Sequence, residues 1–413
     1  MPLLEQLANI FELGDSKSSK RLLPMEGLRG FAVILVFMVH YTGAFKWWLR
    51  EDSFSFALSE SLAIIGLTGV DLFFVLSGYL IYGMLIHKPR NYRTFIRRRI
   101  QRIYPTFIGV FLIYLLLSAL FPSENKIPAN PLTAFVYILE NVLLLPGIFN
   151  IPPIITVAWS LSYEFFFYLL MPFLATCLVL RYWKPASRVF FFSGLAVLYS
   201  AYCLVGPYPR LRLIMFISGI LLYETISSNG LDKKITQRVE YAILLLLVLS
   251  LAFFYIASAK PNLLSFIPGS ATRGQEYGFM LLSVTFFFFC LGCFGSHSLL
   301  RRMFAWTPIR WLGNMSYSYY LIHGVTLKGL SKIVLPMIPM SELSVAMFWV
   351  GIPAAFCVTL VSSSILFISI ERRFSIGRPP VPRISRPTRE ANESVPGELI
   401  EVRGSLVPPA ADL

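Results

Sequence analysis

AIIGLTGVDLFFVLSGYLIYGMLI (63–86) carries a single charge, Asp71, and HKPRNYRTFIRRRIQR (87–102) follows it at once. The first stretch exceeds the roughly 20 apolar residues that a helix needs to cross a hydrocarbon core. The second has the composition of a loop kept on the cytoplasmic side, where Lys and Arg collect. Together they read as a membrane span that exits into the cytoplasm, and the rest of the chain repeats the pattern. Apolar segments lie near 29–46, 63–86, 104–121, 163–181, 188–205, 210–225, 239–257, 277–295, 312–335 and 345–370. The expected fold is all-α, a polytopic integral membrane bundle of about ten transmembrane helices, since a chain in lipid must satisfy its own backbone.

Every second loop is basic. Lys17, Lys20 and Arg21 precede the first span, and Arg372 and Arg373 follow the last. Between them, the loops on the same side carry Arg181, Lys184 and Arg188, then Lys233, Lys234 and Arg238, then Arg301, Arg302 and Arg310. The opposite loops are poor in cations: 122–131 holds only Lys126 and 336–344 holds none. This alternation places both termini in the cytoplasm. It also makes 132–146, short and interrupted by Glu140 and Asn141, a lumenal or re-entrant helix, because a further span would break the alternation.

Composition agrees. Of 413 residues, 56% are hydrophobic and 14% charged, against about 25% charged in soluble domains. The net charge of +14 therefore reflects topology, and nucleic acid is not expected as a partner. Cys177, Cys203, Cys290, Cys293 and Cys357 lie in or beside apolar runs and read as packing residues; no metal site is expected. Three regions follow. Residues 1–22 form a cytoplasmic amphipathic segment, with Leu3, Leu4, Leu7, Ile10 and Phe11 on one helical face, a stop at Gly14, and the membrane or the protein as its support. Residues 23–373 form the transmembrane domain, and 374–413, rich in Pro, Arg and Glu, a disordered cytoplasmic tail.

Ionisable residues inside spans are costly and mark function. His40 follows Arg29 by eleven residues, nearly three turns on the same helical face and about 16 Å deeper into the membrane. Asp71 reaches a similar depth from the other side, Glu164 sits near the outer end of the fourth span, and His323 lies within the ninth. Such a set implies a water-accessible polar cavity. A His–carboxylate pair makes a general base, the carboxylate fixing the tautomer; a structural ion pair is the other role open to Asp71. His323 equally suits a bond to a neighbouring helix. On the cytoplasmic side, Arg97, Arg98, Arg99 and Arg102, interleaved with Ile96, Ile100 and Ile103, suggest a helix at the interface. Guanidinium forks bind phosphate bidentately, so the array suits a phosphorylated ligand. No P-loop glycine pattern accompanies it.

Five stretches in order resemble the membrane acyltransferase-3 family: PMEGLRGFAVILVFMVH (24–40), GVDLFFVLSGYLI (69–81), FIRRRIQRIYP (95–105), AWSLSYEFFFYLL (158–170) and LGNMSYSYYLIH (312–323). The resemblance implies transfer of an acyl group, commonly acetyl, from acyl-CoA as co-substrate to a hydroxyl of a surface carbohydrate or glycolipid, in a bacterial plasma membrane. No tightly bound cofactor is implied. Some relatives carry an added extracytoplasmic domain, so this chain is expected to act as a stand-alone O-acyltransferase. The phosphates of CoA would meet Arg97, Arg98, Arg99 and Arg102, with Arg29 contacting them or pairing with Glu26. The acceptor would enter near Glu164 and Trp159. His40 would act as general base or as an acyl relay, Asp71 as its orienting partner, and Ser77, Tyr317 or Tyr319 as donor to the oxyanion. The rival reading is a transporter or flippase of a glycan or lipid intermediate, which shares the spans and the cavity but predicts neither a phosphate-binding array nor a dependence on CoA.

Overall fold

A computed structural model describes residues 3–12, 23–206, 210–229, 236–295, 298–339 and 341–376. Among them there is no β-strand, as expected for a chain that must close its hydrogen bonds within lipid. The helices in order are α1 (Leu3–Phe11), α2 (Leu23–Phe45), α3 (Phe54–Gly66), α4 (Thr68–His87), α5 (Tyr92–Leu120), α6 (Pro131–Val142), α7 (Ala158–Cys177) and α8 (Pro185–Val205). They continue with α9 (Ile214–Asn229), α10 (Gln237–Ala259), α11 (Ser270–Phe294), α12 (Leu299–Phe304), α13 (Thr307–Asn314), α14 (Ser316–Val334) and α15 (Glu342–Leu366). The last helix runs on as a π-helical segment, Phe367–Ile376.

Nine helical stretches among the described residues are long and apolar enough to cross a bilayer: α2, α3 with α4, α5, α7, α8, α9, α10, α11, and α15 with its π-helical extension. This is a multi-span membrane protein. The tenth segment expected from the sequence is α14, which has 19 residues and so a length of about 28 Å. Its composition is too polar to qualify, and the reason lies in its neighbours. Ser318 bonds to Glu371, Tyr319 to Thr359 and Thr326 to Ser362, so its polar groups face protein rather than lipid. The 132–146 region forms α6, an apolar helix of 12 residues, too short to cross.

The basic stretch is not a separate interfacial helix. It forms the first turns of α5, started by the Asn91 side chain, which accepts from the backbone N–H of Arg93 and Thr94. Residues 88–102 and the π-helical segment mark the basic end of the bundle. The N-terminal helix rests on the protein at that end. Phe11 stacks on Phe367 with centroids 5.6 Å apart, and Asn314 donates to the Phe11 carbonyl at 3.0 Å. Lys17, Lys20, Arg21, Lys233, Lys234, Gly14 and residues 377–413 lie outside the described residues; 374–376, expected to begin the tail, complete the π-helical segment.

Two contacts position the site. Helices α4 and α9 cross where Gly78 meets Gly219: a Cβ on Gly78 would lie 2.2 Å from the Phe216 carbonyl oxygen, and one on Gly219 2.0 Å from that of Val75. Only glycine permits this approach, the small-residue packing common between membrane helices. Nearby, Arg188 of α8 grips Glu224 of α9 with both forks, at 2.7 and 2.9 Å, and Tyr82 of α4 donates to the same carboxylate. Buried charges persist when paired and fully hydrogen-bonded, and here the remaining Arg188 nitrogen donates to the Trp183 carbonyl at 2.6 Å.

Candidate active site

A cavity of about 240 Å³ opens between α2, α4, α5, α7 and α14. One face of α4 lines it: Val70, Phe73, Phe74, Ser77, Leu80, Ile81 and Met84 recur at intervals of three and four residues. From Val70 to Met84 that face runs for about 21 Å. Arg29 of α2 and Arg99 and Arg102 of α5 line the same cavity, as do Glu164 and Tyr168 of α7 and Ser316, Tyr317 and Tyr320 of α14.

Aromatic faces and one acid flank two of the arginines. The Arg99 guanidinium lies 5.2 Å from the Phe95 ring and 5.6 Å from that of Tyr168, and its Nε is buried with no hydrogen-bond partner among the described residues. Arg102 pairs with Glu371 at 2.8 Å and stands over the Tyr317 ring at 5.8 Å. Arg97 and Arg98 are exposed and do not line the cavity. Helix geometry accounts for this: Phe95, Arg99 and Arg102 fall on the inward face, with Arg98 past its edge and Arg97 nearly opposite. Glu26 does not pair with Arg29. It bonds Arg310 of α13 at 2.9 Å, which leaves Arg29 to the cavity.

Further in, Glu164 accepts from Ser77 at 2.8 Å and from Tyr168. Tyr320 and Ser160 share a hydrogen bond of 2.5 Å at the end of the cavity away from the arginines. Beyond Tyr320 stand the two intramembrane histidines. The His323 ring is 6.1 Å from that of Tyr320 and 4.7 Å, edge to face, from that of half-buried His40. His323 Nδ1 bonds the Tyr319 carbonyl at 2.9 Å, which makes Nδ1 the protonated nitrogen. Its Nε2 is left as a buried acceptor with no partner among the described residues.

Asp71 lies in an ion pair, one of the two arrangements that the sequence left open. It is fully buried and pairs with Arg212, in the turn just before α9, at 2.8 Å, rather than with His40. The Arg212 guanidinium lies 5.3 Å from the Trp159 ring and 4.9 Å from that of Phe279, so Trp159 packs on this ion pair at the opposite end of the bundle and is not part of the cavity lining. The expected oxyanion donors are engaged elsewhere: Ser77 on Glu164, Tyr317 on the Ile103 carbonyl at 2.9 Å, and Tyr319 with Thr359 at 2.8 Å. Ser316 is different. Its Oγ is buried, lines the cavity and has no partner among the described residues. Sequence reasoning passed over Ser316 and Tyr320, although both lie within the late tyrosine-rich stretch, and over Glu371 and Arg212, whose partners lie far away in the chain. No group of three or more potential metal ligands occurs among the described residues, and all five cysteines are free.

A helical bundle in the membrane, with three arginines lining one cavity and a histidine pair beyond its far end, defines an integral membrane protein with a polar interior. The chain belongs to the Acyl_transf_3 acyltransferase-domain family, which it matches over residues 24–368. It is 26% identical over 379 residues to the putative peptidoglycan O-acetyltransferase YrhL of Bacillus subtilis, an alignment covering 84% of this chain and 54% of that protein. It is 28% identical over 341 residues to the O-acetyltransferase OatA of Staphylococcus aureus, covering 76% of this chain and 52% of the relative. The peptidoglycan O-acetyltransferase OatA of Listeria monocytogenes is 27% identical over 341 residues, 75% of this chain and 50% of that one. The chain thus spans about half the length of the curated relatives it matches. No solved structure matches it.

Proposed function

We propose that this chain is a membrane O-acetyltransferase that takes acetyl from acetyl-CoA at the basic end and passes it to a carbohydrate hydroxyl at the opposite end. The observation that carries the reading is the cavity itself, with Arg29, Arg99 and Arg102 at one end and Tyr320, the neighbour of the His40–His323 pair, at the other. The excess of cations supports a cytoplasmic position for the basic end, where CoA is found. Arg99, with a buried nitrogen lacking an acceptor, suits a phosphate oxygen. The apolar face of α4 suits the pantetheine arm, which carries the thioester inward without moving the charged nucleotide across the membrane. Relatives named for peptidoglycan O-acetylation support a sugar hydroxyl of the cell wall as acceptor and the bacterial plasma membrane as the location.

In the reaction, His40 removes the proton of the acceptor hydroxyl as its oxygen attacks the acetyl carbonyl. The C–S bond breaks, CoA leaves as the thiolate, and the imidazolium returns the proton to give free CoA thiol and the acetyl ester. His323, fixed by its bond to the Tyr319 carbonyl, packs against His40 and holds its ring. Ser316, with an uncommitted hydroxyl, is placed to bond the donor. The test is release of CoA from acetyl-CoA by purified protein in nanodiscs, compared with His40→Ala. Binding of CoA by both proteins and release by the wild type alone is the expected result. Equal release by both would remove His40 from the chemistry; folded wild-type protein that neither binds nor releases CoA would overturn the donor assignment.

A further inference from the structure

Glu371 is fully buried, yet it belongs to a π-helical segment at the basic end. Single-turn π-distortions often occur at functional sites, and this longer one aims an acid into the bundle. One carboxylate oxygen pairs with Arg102 Nη1 at 2.8 Å. The other accepts from the Ser318 backbone N–H at 2.9 Å and from the Ser318 hydroxyl at 2.5 Å. Thr106 of α5 and Ser375 of the π-helical segment share a hydrogen bond of 3.1 Å, tying the segment to the helix that bears Arg102. Glu371 lies beyond the stretch matched to the family, which ends at residue 368.

Arg29, Arg99 and Arg102 share one cavity and repel one another. Without a counter-charge, Arg102, partly exposed about three turns into α5, lowers its energy by turning to solvent. We propose that Glu371 is a positioning residue that holds Arg102 in the cavity, so that its remaining donors meet the anionic part of the donor substrate. This rests on the assignment of acetyl-CoA as donor. Two effects oppose each other when the carboxylate is neutralised. The cavity becomes more positive, which favours an anion; but in Glu371→Gln the amide keeps its oxygen on the two Ser318 donors and turns its NH₂ toward Arg102, donor against donor. The second effect dominates, because a guanidinium that has swung out of the site contributes no hydrogen bond at all.

The experiment measures kcat and KM for acetyl-CoA, and separately for S-acetylpantetheine, which lacks the phosphates, with wild type and Glu371→Gln in nanodiscs. The expected result is a KM for acetyl-CoA raised about tenfold or more, the scale of a lost charge-assisted bond, with kcat and both constants for S-acetylpantetheine little changed. A merely structural role would lower kcat for both donors alike. An unchanged or lowered KM for acetyl-CoA in Glu371→Gln would overturn the proposal. If that variant does not fold, Ser318→Ala, which removes one of the donors fixing the carboxylate, gives the same readout: a raised KM for acetyl-CoA alone supports the proposal and equal behaviour with both donors defeats it. A wild type that uses neither donor overturns the donor assignment and, with it, this proposal; wild-type turnover with no effect in the variants overturns this proposal only.

Discussion

Replacing Asp71 by Asn should destabilise the bundle without touching the chemistry. The wild-type carboxylate is fully buried and pairs with Arg212, 2.8 Å away. The Asp71→Asn substitution would leave the guanidinium in place between the Trp159 and Phe279 rings with its counter-charge gone. Breaking a fully buried ion pair costs about 3–5 kcal/mol, because a charge is left uncompensated. The Arg212 side chain keeps 18% of its exposure, and both rings offer it a favourable face, so a cost of about 2–4 kcal/mol is appropriate here. That corresponds to a fall on the order of 5 °C in apparent unfolding temperature. The assay is thermal unfolding in one detergent at one scan rate, since membrane proteins unfold irreversibly and apparent values depend on the rate. Removing both charges, as Asp71→Leu with Arg212→Met, should recover most of the loss, as apolar replacements of buried pairs often do. A single variant as stable as the wild type, or a double variant no better than the single, would refute the reasoning. If Asp71 instead oriented His40, the Asp71→Asn variant would lose transfer at temperatures where it remains folded and as stable as the parent.

The remaining predictions concern three other places. His40→Ala should lose about 10²–10⁴-fold in transfer, the usual contribution of a general base, with unchanged membrane insertion, as shown by turnover alongside size-exclusion chromatography. Lys328 and Lys332 hydrogen-bond the Glu124 carboxylate and pull it down to about 2. A depressed carboxyl contributes stability that is complete above its unfolded value and lost as pH falls through the folded one. Glu124→Gln should therefore be slightly less stable than the parent at neutral pH, the difference vanishing as pH falls from about 4 toward 2 and shrinking in high salt, because the group is partly exposed. Gly78→Val should separate α4 from α9, since even its Cβ would overlap the Phe216 carbonyl; a monodisperse chromatographic peak with unchanged unfolding temperature would contradict that.

The membrane class, the helix content and most of the span positions could be read directly because they depend on runs of one residue type and on the side to which cations are confined. Local patterns also found Arg29, Arg99, Arg102, Ser77, Glu164 and Tyr317, which one cavity does collect. What could not be read was pairing. Asp71 and His40 reach a similar depth, but depth says nothing about azimuth, and the arginine that meets Asp71 comes only at residue 212, in the turn before α9. Arg188 counted only as a topological cation, although it reaches inward to Glu224. Glu371 was hidden by its neighbours: next to Arg372 and Arg373 it resembles one more charge at the end of a span, and only the π-helical register turns it inward. Arg97 and Arg98 show the converse, since a dense basic run is spread around a helix and only part of it can face one cavity.

The distribution of unsatisfied groups separates charges that hold the fold from charges that await a ligand. Arg188 and Glu224 form a closed set, the carboxylate accepting from Arg188 and Tyr82 and the guanidinium also reaching two carbonyls. A buried polar group without a partner costs about 1–3 kcal/mol, so a bundle able to close that set has no structural reason to leave others open. Ser258 Oγ, Trp311 Nε1 and the second Asp71 oxygen, Oδ2, are open elsewhere. Yet Arg99 Nε and Ser316 Oγ face the same cavity, and His323 Nε2 lies just past Tyr320 at its far end. These three differ in the partner they need: a cation seeks an anion, a hydroxyl either a donor or an acceptor, and an imidazole nitrogen a proton donor. An acetyl thioester carried on a phosphorylated arm would supply the first two, and the third belongs to the ring packed against His40, the proposed base for the incoming alcohol. A solute transported whole has no need of an anion site and a proton acceptor at opposite ends of one cavity, and this order, rather than the number of spans, favours group transfer over passage.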